Sequence, residues 1–338
     1  MSSNLSTIDV AMASDDRYAM PLATAVRSLV SSLEPGWSTR LWIINDGIQS
    51  ENVKKCMESW DGFPVEVNWL TPPAADVWAL PVTASLPIAT YYRLFLPELL
   101  DDVSKVLYLD PDILVRRSIH ELWETDLGDC PIAAAQDLAC PWIHFRSVME
   151  NYQLAYRYLL RQDPIPNFQE LGLPASAPYF NAGVMLMDLD RWRDEELSRR
   201  LLEFTSEHAA NNMSADQYSL NACLWNRRKE IDIRWNQLQA IHNMPGWQES
   251  PFDSRSFRRY RDEVWIAHFA GPNKPWEDGS RHPLRHEYLE VLDETAWAGW
   301  RPVRQSRSVS RQIRRGWRTS RDWLGVRLRR LRRLRGAA

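Results

Sequence analysis

Two carboxylates one residue apart, Asp110 and Asp112, stand between two apolar runs in the segment 105–115. Residues 106–109 show no polar alternation, which is the composition of a strand buried on both faces. The aspartates then fall at that strand's carboxyl end, where open α/β sheets keep their ligand crevices. Oxygen ligands at this spacing can hold a hard divalent cation, and the cation can hold a diphosphate. Asp-Pro-Asp is also good turn chemistry, so the same residues read as a turn after a strand. Three further segments put polar groups where apolar runs begin or end. Asn181 and Gly183 sit at the mouth of the apolar stretch 179–188, and Asp216 and Gln217 open a helical pattern at 215–221. The stretch 264–276 carries an apolar strand that ends in His268, Gly271 and Lys274.

The elements that must position these residues follow from periodicity. Residues 8–13 read as a first strand, followed by a helix over 19–33, a strand over 40–45 and a helix over 50–60 with Ser50 as its N-cap. A third strand spans 65–70, and such alternation predicts a mainly parallel, layered sheet. The Pro-rich stretch 71–87 is loop, and a helix over 89–100 carries Tyr92 and Arg93. Residues 132–136 form a strand with Asp137 at its end, and 191–208 form one charged amphipathic helix. The segment 140–178 is aromatic and partly helical and is the expected seat of acceptor choice; Trp142, His144, Phe145, Tyr152, Tyr156 and Tyr158 read either as sugar-stacking walls or a lid, or as a helix packed on the body.

In this order the motifs resemble those of the family 8 glycosyltransferases, retaining enzymes with a GT-A fold, over a span from about Ile8 to Trp276. The likeness is nearest to the bacterial galactosyl- and glucosyltransferases that build lipopolysaccharide outer cores. It implies an α/β fold with a Rossmann-like mixed sheet, mainly parallel and flanked by helices. It also implies a UDP-hexose donor, a glycan or lipid-linked acceptor, and Asp110, Asp112 and His268 as metal ligands. A histidine beside two carboxylates favours Mn²⁺, with Mg²⁺ as the alternative. Lys274 would then reach a phosphate, and Gly271 would let backbone approach the diphosphate, in a loop stiffened by Pro272 and Pro275.

Ala13 and Asp15 match positions that contact uracil and ribose, although Asp15 also reads as a helix N-cap. Arg17 stands where relatives often carry a small polar amide. Arg93 matches an arginine on the diphosphate or donor sugar, and Gly183 belongs to the donor site. Asp137, Asn181, Asp216 and Gln217 match the sugar pocket, where planar acceptors and amides suit hydroxyl pairs. The residue placed beneath the anomeric carbon is Gln217, an amide and a poor nucleophile. That favours same-face, internal-return substitution over a covalent intermediate on Asp216. The competing functions are a glycogenin-like initiator that glycosylates a protein tyrosine and a non-catalytic nucleotide-sugar or nucleic-acid binder.

Length and charge add a second theme. A chain of 338 residues can bury one large α/β core, and 17 Trp is several times ordinary usage. No apolar h-region follows Met1 and no run reaches the length of a membrane span, so neither a secretory signal nor a transmembrane helix is expected. The four cysteines show no pair spacing, which fits reduced thiols in a cytosol. From 301 to 338 there are 14 Arg and one acid, Asp322, a charge of +13; the first 300 residues hold 27 basic and 43 acidic groups, a charge of −16. The chain therefore reads as a catalytic domain over 1–300 and a basic tail over 301–338. If helical, the tail aligns Ile313, Trp317, Leu324, Leu328 and Leu331 on one stripe among arginines. Such a helix suits an anionic membrane surface, with nucleic acid the disfavoured rival. A cytoplasmic enzyme held peripherally at the inner face of the membrane is the expectation.

Overall fold

A computed structural model describes residues 5–73, 80–82, 87–160, 162–271 and 273–303. Its strands are β1 (Ser6–Asp15), β2 (Trp37–Asp46), β3 (Val65–Leu70), β4 (Lys105–Leu109), β5 (Ile113–Val115), β6 (Ile132–Gln136), β7 (Phe180–Asp188), β8 (Arg228–Ile231), β9 (Gln237–Leu238) and β10 (Ile266–His268). Seven of them form one sheet in the order β3-β2-β1-β4-β7-β6-β8. β1 runs parallel to β2 and β4, β2 to β3, and β6 to β8, whereas β7 is antiparallel to both its neighbours. The sheet is thus mainly parallel with one reversed strand.

Two cores on opposite faces of the sheet explain the continuous apolar runs. Leu107 and Leu109 join Ile8, Val10 and Met12 in one cluster with helices α1 (Ala19–Ser32) and α2 (Ser50–Trp60). Val106 and Tyr108 join Ala11 and Ala13 in the other, packed on Tyr91, Leu94, Trp192 and Leu220. Successive side chains of β4 therefore enter different cores, and neither face tolerates a polar residue. A third cluster gathers Phe145, Ala155, Ile165, Tyr179 and Phe257 around the segment after β6.

The remaining strands build a small separate sheet, β5-β10-β9, that periodicity does not reveal because its strands are two or three residues long. β10 pairs antiparallel with β5, setting His268 opposite Ile113, and Phe269 N–H donates to the Asp112 carbonyl at 2.9 Å. This pairing carries the end of one motif to another that lies far away in sequence.

Several local expectations change. The helix expected over 89–100 is a 3-10 helix, Ile88–Phe95, followed by a short turn of helix, Leu96–Leu99, with Pro97 in its first turn. Proline has no N–H to carry a helix through that point. The helix expected over 191–208 is two, Leu189–Asp194 and Leu197–Glu207, divided where Glu196 takes a left-handed φ of 52°. Gln49 rather than Ser50 precedes α2, and its N–H is held by Asp16 Oδ1 at 2.8 Å instead of a side-chain cap. The aromatic segment after β6 mostly packs: Phe145 is buried, and Trp142, Tyr152 and Tyr158 lie against the third cluster, while Tyr156 is exposed.

By contacts the chain divides into a unit of Met1–Pro275 with Arg281–Trp300 and a second of Trp276–Ser280 with Arg301–Ala338. The described part of the second unit holds a turn in which Ser280 N–H meets Glu277 O at 3.3 Å. The apolar stripe expected from Ile313 to Leu331 lies outside the described residues, as do Pro272 and part of the loop 71–87. Among the described residues no helix is long and apolar enough to cross a membrane.

Candidate active site

A cleft of about 370 Å³ opens beyond the carboxyl ends of β1 and β4, next to the start of β7. It is lined by Ala13, Asp15, Arg93, Asp110, Asp112, Asn181, Gly183, Asp216, Gln217, His268, Gly271 and Lys274. Of the residues matched to the metal, the donor and the sugar pocket, Asp137 alone does not line it, and none of the six aromatic residues of the segment 140–178 does. Asp137 stands behind the wall and accepts from Asn181 Nδ2 at 3.0 Å and Gln217 Nε2 at 3.4 Å.

Asp110, Asp112 and His268 each turn one ligand atom inward, all within 4.8 Å of one another. His268 Nε2 lies 3.5 Å from Asp110 Oδ2 and 3.3 Å from Asp112 Oδ1. The opposite ring nitrogen, Nδ1, is 2.8 Å from Asn236 Oδ1. Asn236 spends its NH₂ on Asn181 Oδ1 at 3.0 Å, so its oxygen faces the ring as an acceptor and draws the imidazole proton to Nδ1. Nε2 is left with its lone pair toward the two carboxylates, the arrangement a metal-ligating histidine needs. Room is provided by Gly183, where an added Cβ would stand 2.6 Å from Asp110 Oδ2 and nearer still to His268 Cε1. Two carboxylates, one correctly oriented imidazole and a space kept open by glycine fit a divalent cation.

Positive charge surrounds this centre. Lys274 Nζ donates to Asp112 Oδ2 at 2.5 Å and to Phe269 O at 2.8 Å. Burial alone would raise the Asp112 carboxyl, but the Lys274 ammonium holds it well below the usual carboxylate range. Gly271, with φ of +101°, lies three residues before that lysine in a conformation that side chains rarely adopt. Arg93 is buried, not a surface helix charge: its Nη2 is 2.9 Å from Asp110 Oδ1, its Nε 3.1 Å from Asp216 Oδ2, and its Nη1 donates to the Ala182 carbonyl. Its guanidinium carbon lies 4.3 Å from the centre of the Tyr108 ring. Asp216 receives the Arg93 charge without an aligned hydrogen bond, and burial pushes its pKa up to about 6 against that charge.

Beside Asp216, Gln217 Oε1 accepts from Ala182 N–H at 3.1 Å while its Nε2 faces Asp137, so the orientation of the amide is fixed. Asp137 also accepts from Ala139 N–H at 2.7 Å and Cys140 N–H at 3.1 Å. Asp15 caps the turn Asp16–Tyr18, accepting from Tyr18 N–H at 3.1 Å, and pairs with Arg17 at 2.7 Å. Both stay on the cleft wall, so the capping reading of Asp15 and its place in the cleft hold together. Sequence reasoning missed Asn236, which is fully buried, and Tyr108, whose hydroxyl donates to Asp110 Oδ1 at 3.1 Å. A tyrosine two residues before a carboxylate shares its strand face and could have been found; Asn236 gives no signal until β9 and β10 pair.

Residues 9–280 match the family described as Glycosyl transferase family 8, and the chain belongs to it. It is a glycosyltransferase with a GT-A fold, similar to lipopolysaccharide galactosyltransferases. A solved galactosyltransferase, LgtC, in complex with donor and acceptor sugar analogues, superposes with a TM-score of 0.67 at 27% identity, covering 85% of this chain and 96% of that one. General stress protein A of Bacillus subtilis is 26% identical over 287 residues, 84% of this chain and 92% of its own. Lipopolysaccharide 1,3-galactosyltransferase of Salmonella typhimurium is 27% identical over 225 residues, 65% of this chain and 58% of its own.

Proposed function

We propose that the enzyme moves glucose or galactose from a UDP-sugar to a hydroxyl of a glycan or glycolipid, with retention and with Mn²⁺ in preference to Mg²⁺. The observation that carries this reading is the Asp110–Asp112–His268 cluster in a cleft that Asn181, Asp216 and Gln217 also line. A divalent cation bound there supplies charge neutralisation for the departing diphosphate. The chain's own residues do the rest. Lys274 brings a second positive charge to the phosphate end, and the open backbone at Gly271 allows close approach. Arg93 spends its guanidinium on Asp110 and Asp216, so it positions the two carboxylates it joins. Ala13 and Asp15 line the same cleft and are assigned to the nucleoside.

Gln217, oriented by Ala182 and Asp137, offers an amide beneath the sugar rather than a nucleophile. Asp216 is engaged with Arg93, which disfavours it as a covalent partner. Substitution on the donor's own face follows: the anomeric C–O bond to phosphate breaks, the acceptor oxygen bonds from the same side, and the released phosphate oxygen takes the acceptor's proton. The basic tail, 301–338, is assigned to an anionic membrane surface on its composition, and the catalytic unit to 1–300.

UDP release from UDP-glucose and UDP-galactose, measured with Mn²⁺ and with EDTA, tests the reading, together with the anomeric configuration of the product by NMR. Cation-dependent release and an α-linked product from the α-linked donor are expected. Full activity in EDTA would sink the metal assignment, and an inverted product would sink retention. Mass rising in hexose steps without added acceptor would point to self-glycosylation instead.

A further inference from the structure

A second cavity, of about 520 Å³, adjoins the donor cleft and shares one wall residue with it, Met213. The neighbours of Met213 on the cleft side are Ser214, Asp216 and Gln217, so the shared wall stands beside the residues assigned to the sugar. We propose that this cavity is an acceptor subsite for a neutral sugar unit, the one next to the unit that receives the transferred hexose. The inference rests on the transferase reading above and makes the acceptor an oligosaccharide of at least two units.

The wall chemistry is what a pyranose needs. His144 and Phe168 stack with centroids 4.9 Å apart and 22° between planes, giving a flat apolar platform for the C–H face of a ring. Arg146 Nε lies 3.2 Å and His144 Nε2 3.7 Å from Asp163 Oδ2. Asp163 Oδ1 is buried and accepts no hydrogen bond. An unfilled buried acceptor is costly, and the soft terminal torsion of a carboxylate lets it turn toward a hydroxyl in the cavity. Gln169 adds an exposed amide, and Met213 an exposed apolar edge on the wall the two spaces share. Planar donors and acceptors of this kind pair with adjacent hydroxyls. The Arg146 charge is already balanced by Asp163, which argues for a neutral sugar over a phosphate. The volume falls within the roughly 300–1,000 Å³ of small-molecule sites.

The test uses the full chain with Mn²⁺, both UDP-hexoses, and acceptors offered as pairs: methyl β-galactoside with lactose, methyl glucoside with maltose, and lipopolysaccharide core oligosaccharide with its terminal monosaccharide. On any pair accepted, wild type is expected to show a lower KM for the longer acceptor. Phe168→Ala removes the platform, and Gln169→Trp fills the cavity from an exposed position without opening the core. Each is expected to raise the longer acceptor's KM about tenfold, toward the monosaccharide value, with kcat kept. Unchanged KM for the longer acceptor in Gln169→Trp overturns the subsite, as does a parallel loss on both members of a pair. Transfer to no acceptor, despite donor hydrolysis, overturns the hexosyltransferase reading and the subsite with it.

Discussion

At the scale of single residues, the centre depends on groups that each answer to more than one neighbour. Asp110→Asn and Asp112→Asn are expected to lower kcat about a hundredfold or more, read as UDP release. They differ in what else they disturb. Asp112 is buried against Lys274, so its amide variant leaves a buried ammonium without its counter-charge and costs about 3 kcal/mol of stability. Asp110 is more open to solvent, and Arg93 keeps Asp216 when it is neutralised. Urea unfolding of the two variants should separate them; equal stability would contradict the Lys274 pairing. Asn236→Ala is expected to weaken Mn²⁺ binding roughly tenfold to a hundredfold by releasing the His268 tautomer. Calorimetric titration of Mn²⁺ checks this, and an unchanged affinity in the alanine variant would remove Asn236 from the site. Gln217→Ala is expected to slow transfer while the product stays α-linked; trapping a glycosylated Asp216 would favour double displacement.

Among the elements, the long strands and helices were legible in the sequence because each strand from β1 to β7 that feeds the cleft is an apolar run serving two cores. The polar residues that interrupt those runs therefore marked the cleft. What stayed hidden has a common cause: it depends on pairing between distant segments. The sheet β5-β10-β9 is too short to show periodicity, yet it decides that His268 meets Asp112. Asn236 joins the site only through that sheet, and Arg93 drew its burial from Asp110 and Asp216 on other elements. Directly after β10, Phe269 packs edge-on to His282 at 4.8 Å and to Tyr288 at 5.5 Å. Burial, helped by His242, lowers the His282 pKa from the usual 6.5 to about 4. Between those values the unfolded chain binds a proton that the folded chain refuses. The contribution of His282 to stability is therefore fully present above about pH 6.5 and lost as pH falls toward 4. Urea midpoints across that window should fall with acid in wild type and less steeply in His282→Gln.

For the molecule as a whole, charge separates a −16 body from a +13 tail. Truncation after Trp300 is expected to leave donor hydrolysis nearly unchanged, because each matched motif precedes Glu277. It should release the protein from anionic liposomes, each arginine near the surface contributing about 1 kcal/mol before screening. Flotation at low and physiological salt decides this; identical flotation of both forms would dismiss the tail as an anchor. The short sheet has one more consequence. Since Asp112 and His268 are neighbours only when β5 and β10 pair, an unfolded chain offers the cation no comparable site. Ligand that binds only the native state shifts the unfolding equilibrium by mass action, by about 2.7 kcal/mol at a hundred times Kd. The melting temperature then becomes a titration of the metal, rising roughly 5 °C with saturating Mn²⁺ in wild type and staying level in His268→Ala.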